Sequence, residues 1–265
     1  MDKSVVVTGC GTGIGRAIFD RLIHDGWAVV GLEQDGELAS DAARAAGSQA
    51  DVLVGDAASR AELARAAARA LELAPLGGWV NNAAMAVSGT LHDPIEAQVE
   101  ALIRLNLMGY YWGSSEAVRR FIDQKSSGAI VNISSIHARS AFPGWAAYDT
   151  AKGGVNALTR YIAVEYGPVG IRANAIEPGA IRTPLMQRVI DAAPDPALSE
   201  FEMSALHPMR RVGEPHEIAA VAAFLLSSEA SFLTGECIAV DGGATARCYP
   251  YAQAPDVIAA YGLGS

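Results

Sequence analysis

Residues Thr8–Gly15 read TGCGTGIG, directly after Ser4-Val5-Val6-Val7, an apolar run with the character of a buried strand. A strand that empties into glycines and then meets a helical pattern, here Arg16 to Asp25, brings backbone amides at a helix N-terminus within reach of a phosphate. A plain tight turn between strand and helix would use the same glycines. The spacing Gly11-x-Gly13-x-Gly15 departs from G-x-G-x-x-G, and no Lys-Ser/Thr follows as in nucleoside-triphosphate loops. The rest of the chain has to decide between the two.

Working outward, six further apolar runs follow: Ala28–Leu32, Val52–Val54, Trp79–Val80, Ala129–Ile133, Ala173–Ile176 and Ile238–Val240. They are continuous rather than alternating, as strands are when helices cover both faces of a parallel sheet. Helical stretches lie between them. Ala61–Leu73 is alanine-rich, and Asp93-Pro94 reads as a helix start with Asp93 as cap and Pro94 in the first turn. Repeated βα units predict a doubly wound, Rossmann-like α/β domain of about seven strands, with its ligand site beyond the carboxyl ends of the strands.

The bulk properties agree with one ordered domain. The 265 residues are 51% hydrophobic and 18% charged, without repeats or a Pro/Ser-rich linker. A formal charge of −9 argues against nucleic acid and anionic membrane as partners. Three cysteines without C-x-x-C spacing suggest neither a metal site nor a disulfide framework. Val5–Val7 is too short for a signal peptide's apolar region, and no eighteen-residue apolar stretch occurs, so a cytoplasmic protein is expected.

The residues after each strand carry chemistry. Glu33 stands eighteen residues after Gly15, where a carboxylate accepts from the adenosine ribose hydroxyls of a dinucleotide. Asp56 can accept from an adenine amino group, and Asn81-Asn82-Ala83-Ala84 is small enough for a flat ring to lie against, although Asn-Asn also suits a turn. Tyr148 and Lys152 open a long helical run through Gly167 and lie one turn apart. A phenol near pKa ~10 is a poor base at neutral pH. An ammonium beside it, with the positive charge of an oxidised nicotinamide, would favour the phenolate. Ser134-Ser135 follows the fifth strand toward the same sheet end and supplies a hydroxyl for the substrate oxygen. A serine nucleophile is the rival reading, but no G-x-S-x-G surrounds Ser135.

The stretches TGCGTGIG, NNAA, the Asn106 of LNL, IVNISS, YDTAK and EPGAIRTPL, in that order, resemble the short-chain dehydrogenase/reductase family from Ser4 to about Gly243. The resemblance implies that Tyr148 is the acid/base, that Ser135 orients substrate, that Lys152 binds the nicotinamide ribose and lowers the tyrosine pKa, and that Asn106 holds a water in the proton relay. It implies a cofactor surface built from Gly9, Thr12, Gly13 and Ile14 at the first turn, and from Glu33, Asp56 and Ala57 at the next two strand ends. Asn82, Ala83 and Ala84 would continue that surface, with Ile133 beyond them. Pro178, Gly179, Ile181 and Thr183 would position the nicotinamide. No metal is implied.

Thr12, Glu33 and Gln34 include no cation to meet a 2′-phosphate, so NAD is the expected cofactor. NNAA stands where the family more often has NNAG, and Glu177 where it mostly has a small or apolar residue. His137, Arg139, Trp145 and Glu177 are candidate substrate residues. His137 is placed to bond a second substrate hydroxyl, and with Arg139 and Glu177 it inclines the reading toward a sugar or polyol. A steroid or small cyclic alcohol, an NADPH-dependent ketoreductase and a non-catalytic dinucleotide sensor are the alternatives. Residues 184–209 resemble the family's substrate loop, residues 244–265 are expected to dock at a subunit interface, and a homotetramer is implied.

Overall fold

A computed structural model describes residues 2–47 and 50–247. The tail from Tyr249 to Tyr261, expected at a subunit interface, lies outside the described residues. In chain order the elements are β1 (Ser4–Thr8), α1 (Gly13–His24), β2 (Ala28–Glu33), α2 (Gly36–Ala46), β3 (Ala50–Val54), α3 (Arg60–Leu73), β4 (Leu76–Asn81) and α4 (Glu96–Ile103). A π-helical segment, Arg104–Gly109, runs on from α4 into α5 (Tyr110–Asp123). There follow β5 (Gly128–Ile133), α6 (Ala146–Tyr166), β6 (Ile171–Pro178), α7 (Pro184–Asp191), α8 (Pro196–Ala205), α9 (Pro215–Leu226) and β7 (Cys237–Val240).

The seven strands form one parallel sheet in the order β3-β2-β1-β4-β5-β6-β7. The chain winds one way from β1 to β3 and the other from β4 to β7, so the order reverses between β1 and β4, where open α/β sheets leave a crevice. Side chains alternate across the sheet. Val5, Val7, Val80 and Val131 join a core with α1 and α9, while Val6, Trp79 and Ile130 join a second core with α3, α5 and α6. Burial on both faces is complete for β1 and β4, whereas the edge strands β3 and β7 are only half-buried.

Two expected boundaries move. Helix α1 begins at Gly13, inside the glycine stretch rather than at Arg16. Helix α4 begins at Glu96, not at Asp93-Pro94, because Ile95 is extended and its carbonyl receives the first bonds, from Gln98 and Val99. The segment 184–209, expected as a substrate loop, contains α7 and α8. Thr183 and Asp195 cap these helices through Met186 N and Leu198 N.

Candidate active site

The crevice is fastened at its base by β1 and β4. Asn82 Nδ2 donates to the carbonyls of Thr8 and Gly9, both at 3.0 Å, and Thr8 Oγ1 accepts from Asn82 N and Ala83 N. Asn82 thus holds the glycine loop in place instead of pointing into the crevice. Its neighbour Asn81 is buried, accepting from Trp79 Nε1 and donating to Ser114 Oγ and Asn132 Oδ1, while Asn132 donates to Thr159. Every polar atom stranded in that chain would cost ~1–3 kcal/mol, so Asn81 is scaffold.

Two glycines of the loop are required by geometry. A Cβ at Gly15 would stand 1.9 Å from the Gly9 carbonyl oxygen. Gly13 has φ +57°, and a Cβ there would come within 3.0 Å of Thr183 Cγ2. Thr12 takes the N-cap position of α1 with an extended backbone and no side-chain cap bond, so the first-turn amides are presented without a competing side chain. Glu33 closes the other side, its Oε2 accepting from Gly11 N at 2.9 Å. Arg16, the nearest cation in sequence, is turned back on its own helix to Asp20 at 2.9 Å. Asp56 is engaged already: Oδ1 accepts from Ala58 N, and Oδ2 pairs with Arg104 at 2.6 Å. The carboxylate expected to meet an adenine amino group is therefore shared with two protein donors.

Beyond the crevice lies a cleft of about 390 Å³ that gathers most of the remaining candidates. Ile14, Ala84, Ile133, Ser135, Tyr148, Lys152, Pro178, Gly179, Ile181 and Thr183 line it. So do His137, Phe142, Trp145 and residues of α7 and α8, apolar Leu185, Met186, Val189 and Met203 together with Ser199 and Glu202. Tyr148 falls in the first turn of α6, and Ser135 is near enough to its phenol to act on its pKa. Lys152 is buried and donates to the Ile133 carbonyl at 2.8 Å and to Tyr110 Oη at 3.2 Å. Tyr110 Oη lies 2.9 Å from that same carbonyl and 3.1 Å from the Asn82 carbonyl, so one phenol connects the ends of β4 and β5 to the lysine. Sequence reasoning missed Tyr110, whose only signal was a place four residues after Asn106.

Burial moves these groups in opposite directions. Tyr148 is pushed up to about 12, chiefly by desolvation, with the Ser135 hydrogen bond opposing. Lys152 is pushed down to about 7 by desolvation. Lys152 does not figure among the causes of the Tyr148 shift. The ammonium faces Ile133 and Tyr110, and it stands 5.6 Å from the Tyr148 ring centre.

The structure also places Asn106, and it corrects the expectations for Glu177 and Arg139. Asn106 is buried, and its side chain is used in a bidentate pair with Met85 N and O (2.9 and 2.8 Å). Only its main chain is left for a relay water, within a π-helical turn of the kind that often marks functional sites. Glu177 is neither in the cleft nor on the surface. It is fully buried near the end of β6, accepting from Asn156 Nδ2 at 2.6 Å and forming an ion pair with Arg139. Arg139 also donates to the Cys237 carbonyl at 2.8 Å. A buried carboxylate needs such a partner, and breaking the pair would cost ~3–5 kcal/mol. Both residues brace β6 and β7 outside the cleft, which removes two of the three supports for a sugar or polyol.

With this geometry in place, the chain can be set beside known proteins. The family model described as enoyl-(acyl carrier protein) reductase, of the short-chain dehydrogenase/reductase type, matches residues 9–245. The chain belongs to the short-chain dehydrogenase/reductase family. It is 36% identical over 246 residues to a 2,5-dichloro-2,5-cyclohexadiene-1,4-diol dehydrogenase of Sphingobium indicum, covering 92% of this chain and 97% of that one. It is 38% identical over 250 residues to 3beta-hydroxysteroid dehydrogenase 1 of Eggerthella lenta, covering 92% and 94%. The ligand-free structure of aldohexose dehydrogenase from Thermoplasma acidophilum superposes with a TM-score of 0.85 at 33% identity, covering 96% and 97%. This short-chain dehydrogenase/reductase is therefore an oxidoreductase that uses a nicotinamide dinucleotide. The crevice fits such a group, since the α1 N-terminus carries no side-chain cap bond at Thr12 and is preceded by a glycine loop, which suits a pyrophosphate. No helix among the described residues is long and apolar enough to cross a membrane.

Proposed function

We propose that this enzyme interconverts a secondary alcohol and its ketone with NAD(H), and that the alcohol is cyclic and largely apolar. The observation that carries the reading is the convergence of Ser135, Tyr148 and Lys152 at one cleft that Phe142, Trp145, Leu185, Met186 and Met203 also line, beside Ser199 and Glu202. The nicotinamide supplies the hydride chemistry. In alcohol oxidation the Ser135 hydroxyl holds the substrate oxygen, and Tyr148 Oη takes its proton. Lys152, steadied by Tyr110 Oη and the Ile133 carbonyl, binds the nicotinamide ribose and, when charged, favours the phenolate. Ile181 and Thr183 hold the nicotinamide, and α7 and α8 keep water from the reacting carbon.

A mostly apolar lining rewards apolar substrate surface at ~25 cal/mol per Å² and, Ser199 and Glu202 of α8 apart, offers few partners to a sugar's many hydroxyls. The steroid and cyclic-diol relatives agree with that preference. The aldohexose enzyme keeps the sugar reading as the alternative. Glu33 supports NAD over NADP: held against Gly11 N with Arg16 turned away, its carboxylate would repel a 2′-phosphate. The proposal extends to a cytoplasmic homotetramer, supported by exposed Tyr161 and Val164 on α6 and by Phe232 before β7. Sedimentation at a monomer mass would remove that extension.

The test is a set of initial rates with NAD and NADP against cyclic alcohols, steroids, polyols and sugars. NAD is expected to lead by at least ~100-fold in kcat/KM, a difference of ~2.7 kcal/mol, and Glu33→Ala with Gln34→Arg should relax it. Equal efficiency with NADP would transfer the reading to a biosynthetic ketoreductase.

A further inference from the structure

His137 sits in the cleft as half of a pair. Its Nδ1 lies 2.6 Å from Asp149 Oδ1, and Asp149 Oδ2 accepts from Phe142 N at 3.1 Å. The imidazole stacks on Phe142 with ring centres 4.1 Å apart and stands edge-on to Tyr148 at 5.2 Å. The ring is thus held on one face by an aromatic, at one nitrogen by a carboxylate, and beside the phenol proposed as acid/base.

These contacts fix the tautomer. Asp149 is an acceptor, so Nδ1 must carry a proton. Burial pushes the His137 pKa below its usual value, against the pull of Asp149, so the ring carries only that one proton at neutral pH. Nε2 is then a lone-pair acceptor, and no hydrogen bond to it occurs among the described residues. The adjoining Phe142 and Trp145 offer a ligand no acceptor, and α8 contributes Ser199 and Glu202 to the same cleft.

We infer that His137, oriented by Asp149, is a specificity residue that accepts a hydrogen bond from a second hydroxyl of the substrate, so that the preferred substrates are cyclic diols rather than mono-alcohols. The inference rests on the secondary-alcohol reading above. A neutral acceptor discriminates in a defined way. It rewards an O–H, and it gives nothing to a methyl ether of the same size or to a second ketone, neither of which has a proton to donate.

The experiment compares kcat/KM for cyclohexane-1,2-, 1,3- and 1,4-diols with cyclohexanol and with the mono-methyl ether of each diol. At least one diol should exceed its own mono-ether by about tenfold or more, as one hydrogen bond in an apolar pocket allows. In His137→Phe, which keeps an aromatic ring against Phe142, that diol-to-ether ratio should collapse toward one. In Asp149→Ala, where the tautomer is no longer fixed, it should fall partway. A wild-type enzyme that turns over every mono-ether as well as its diol overturns the inference without use of any variant. A ratio unchanged in His137→Phe overturns it too, while absence of nicotinamide-dependent turnover with any alcohol would defeat the underlying reading instead.

Discussion

Tyr148 and Lys152 are one helical turn apart, yet burial drives the phenol up and the ammonium down. Desolvation acts on each group separately, and mutual attraction can offset it only where the charges face each other. Here Lys152 faces Ile133 and Tyr110. The consequence for stability can be measured. The folded lysine releases its proton at about 7, against an ordinary value of 10.5. Its contribution is therefore fully present above 10.5 and is lost as pH falls to about 7. Tyr148, raised from 10.0 to about 12, acts in the opposite sense but only above pH 10. Between pH 7 and 9 the wild-type Tm should rise relative to that of Lys152→Met, and parallel curves would contradict the burial of an uncompensated lysine. The spacing Tyr148-x-x-x-Lys152 was legible in the sequence. The direction of the shifts was not, because it depends on Tyr110 and the Ile133 carbonyl, which meet the lysine only after β5 and α5 have packed.

At the scale of elements, the start of α1 is governed by its glycines. Gly13→Ala places a side chain at φ +57°, which costs roughly 1–2 kcal/mol of backbone strain, and sets a Cβ against Thr183. Thr183 caps α7, so the disturbance reaches one of the helices walling the cleft. Dinucleotide affinity, read by fluorescence titration, should fall at least ~10-fold while the far-UV spectrum is retained; unchanged affinity would show that the α1 N-terminus does not seat the cofactor. This element is legible in the sequence because a strand, a run of glycines and a helical pattern follow one another without interruption. Glu177 shows where such reading fails. A lone acid after a strand resembles a site residue, and only the sheet's register reveals Arg139 and Asn156 positioned to neutralise it. His137 is the converse case. Two residues past Ser135 it could face solvent or cleft, and Asp149, twelve positions later, decides.

For the whole molecule, the seven parallel strands and the reversal between β1 and β4 follow from alternating apolar runs and helical patterns, because each run had to be covered on both faces. The substrate side was less legible: α7 and α8 lie far along the chain from Phe142 and Trp145, and an apolar cleft exists only where the two segments meet. What the architecture delivers to that cleft is one ionisable hydroxyl, Tyr148, with Ser135 lining the same cleft. The proposed role of this phenol is to move the substrate proton. In Tyr148→Phe the turnover of any accepted secondary alcohol should fall by at least ~10²-fold, within the range of general acid–base catalysis, while NAD titration still shows binding. Retention of more than about a tenth of the wild-type rate, with NAD bound, would contradict it.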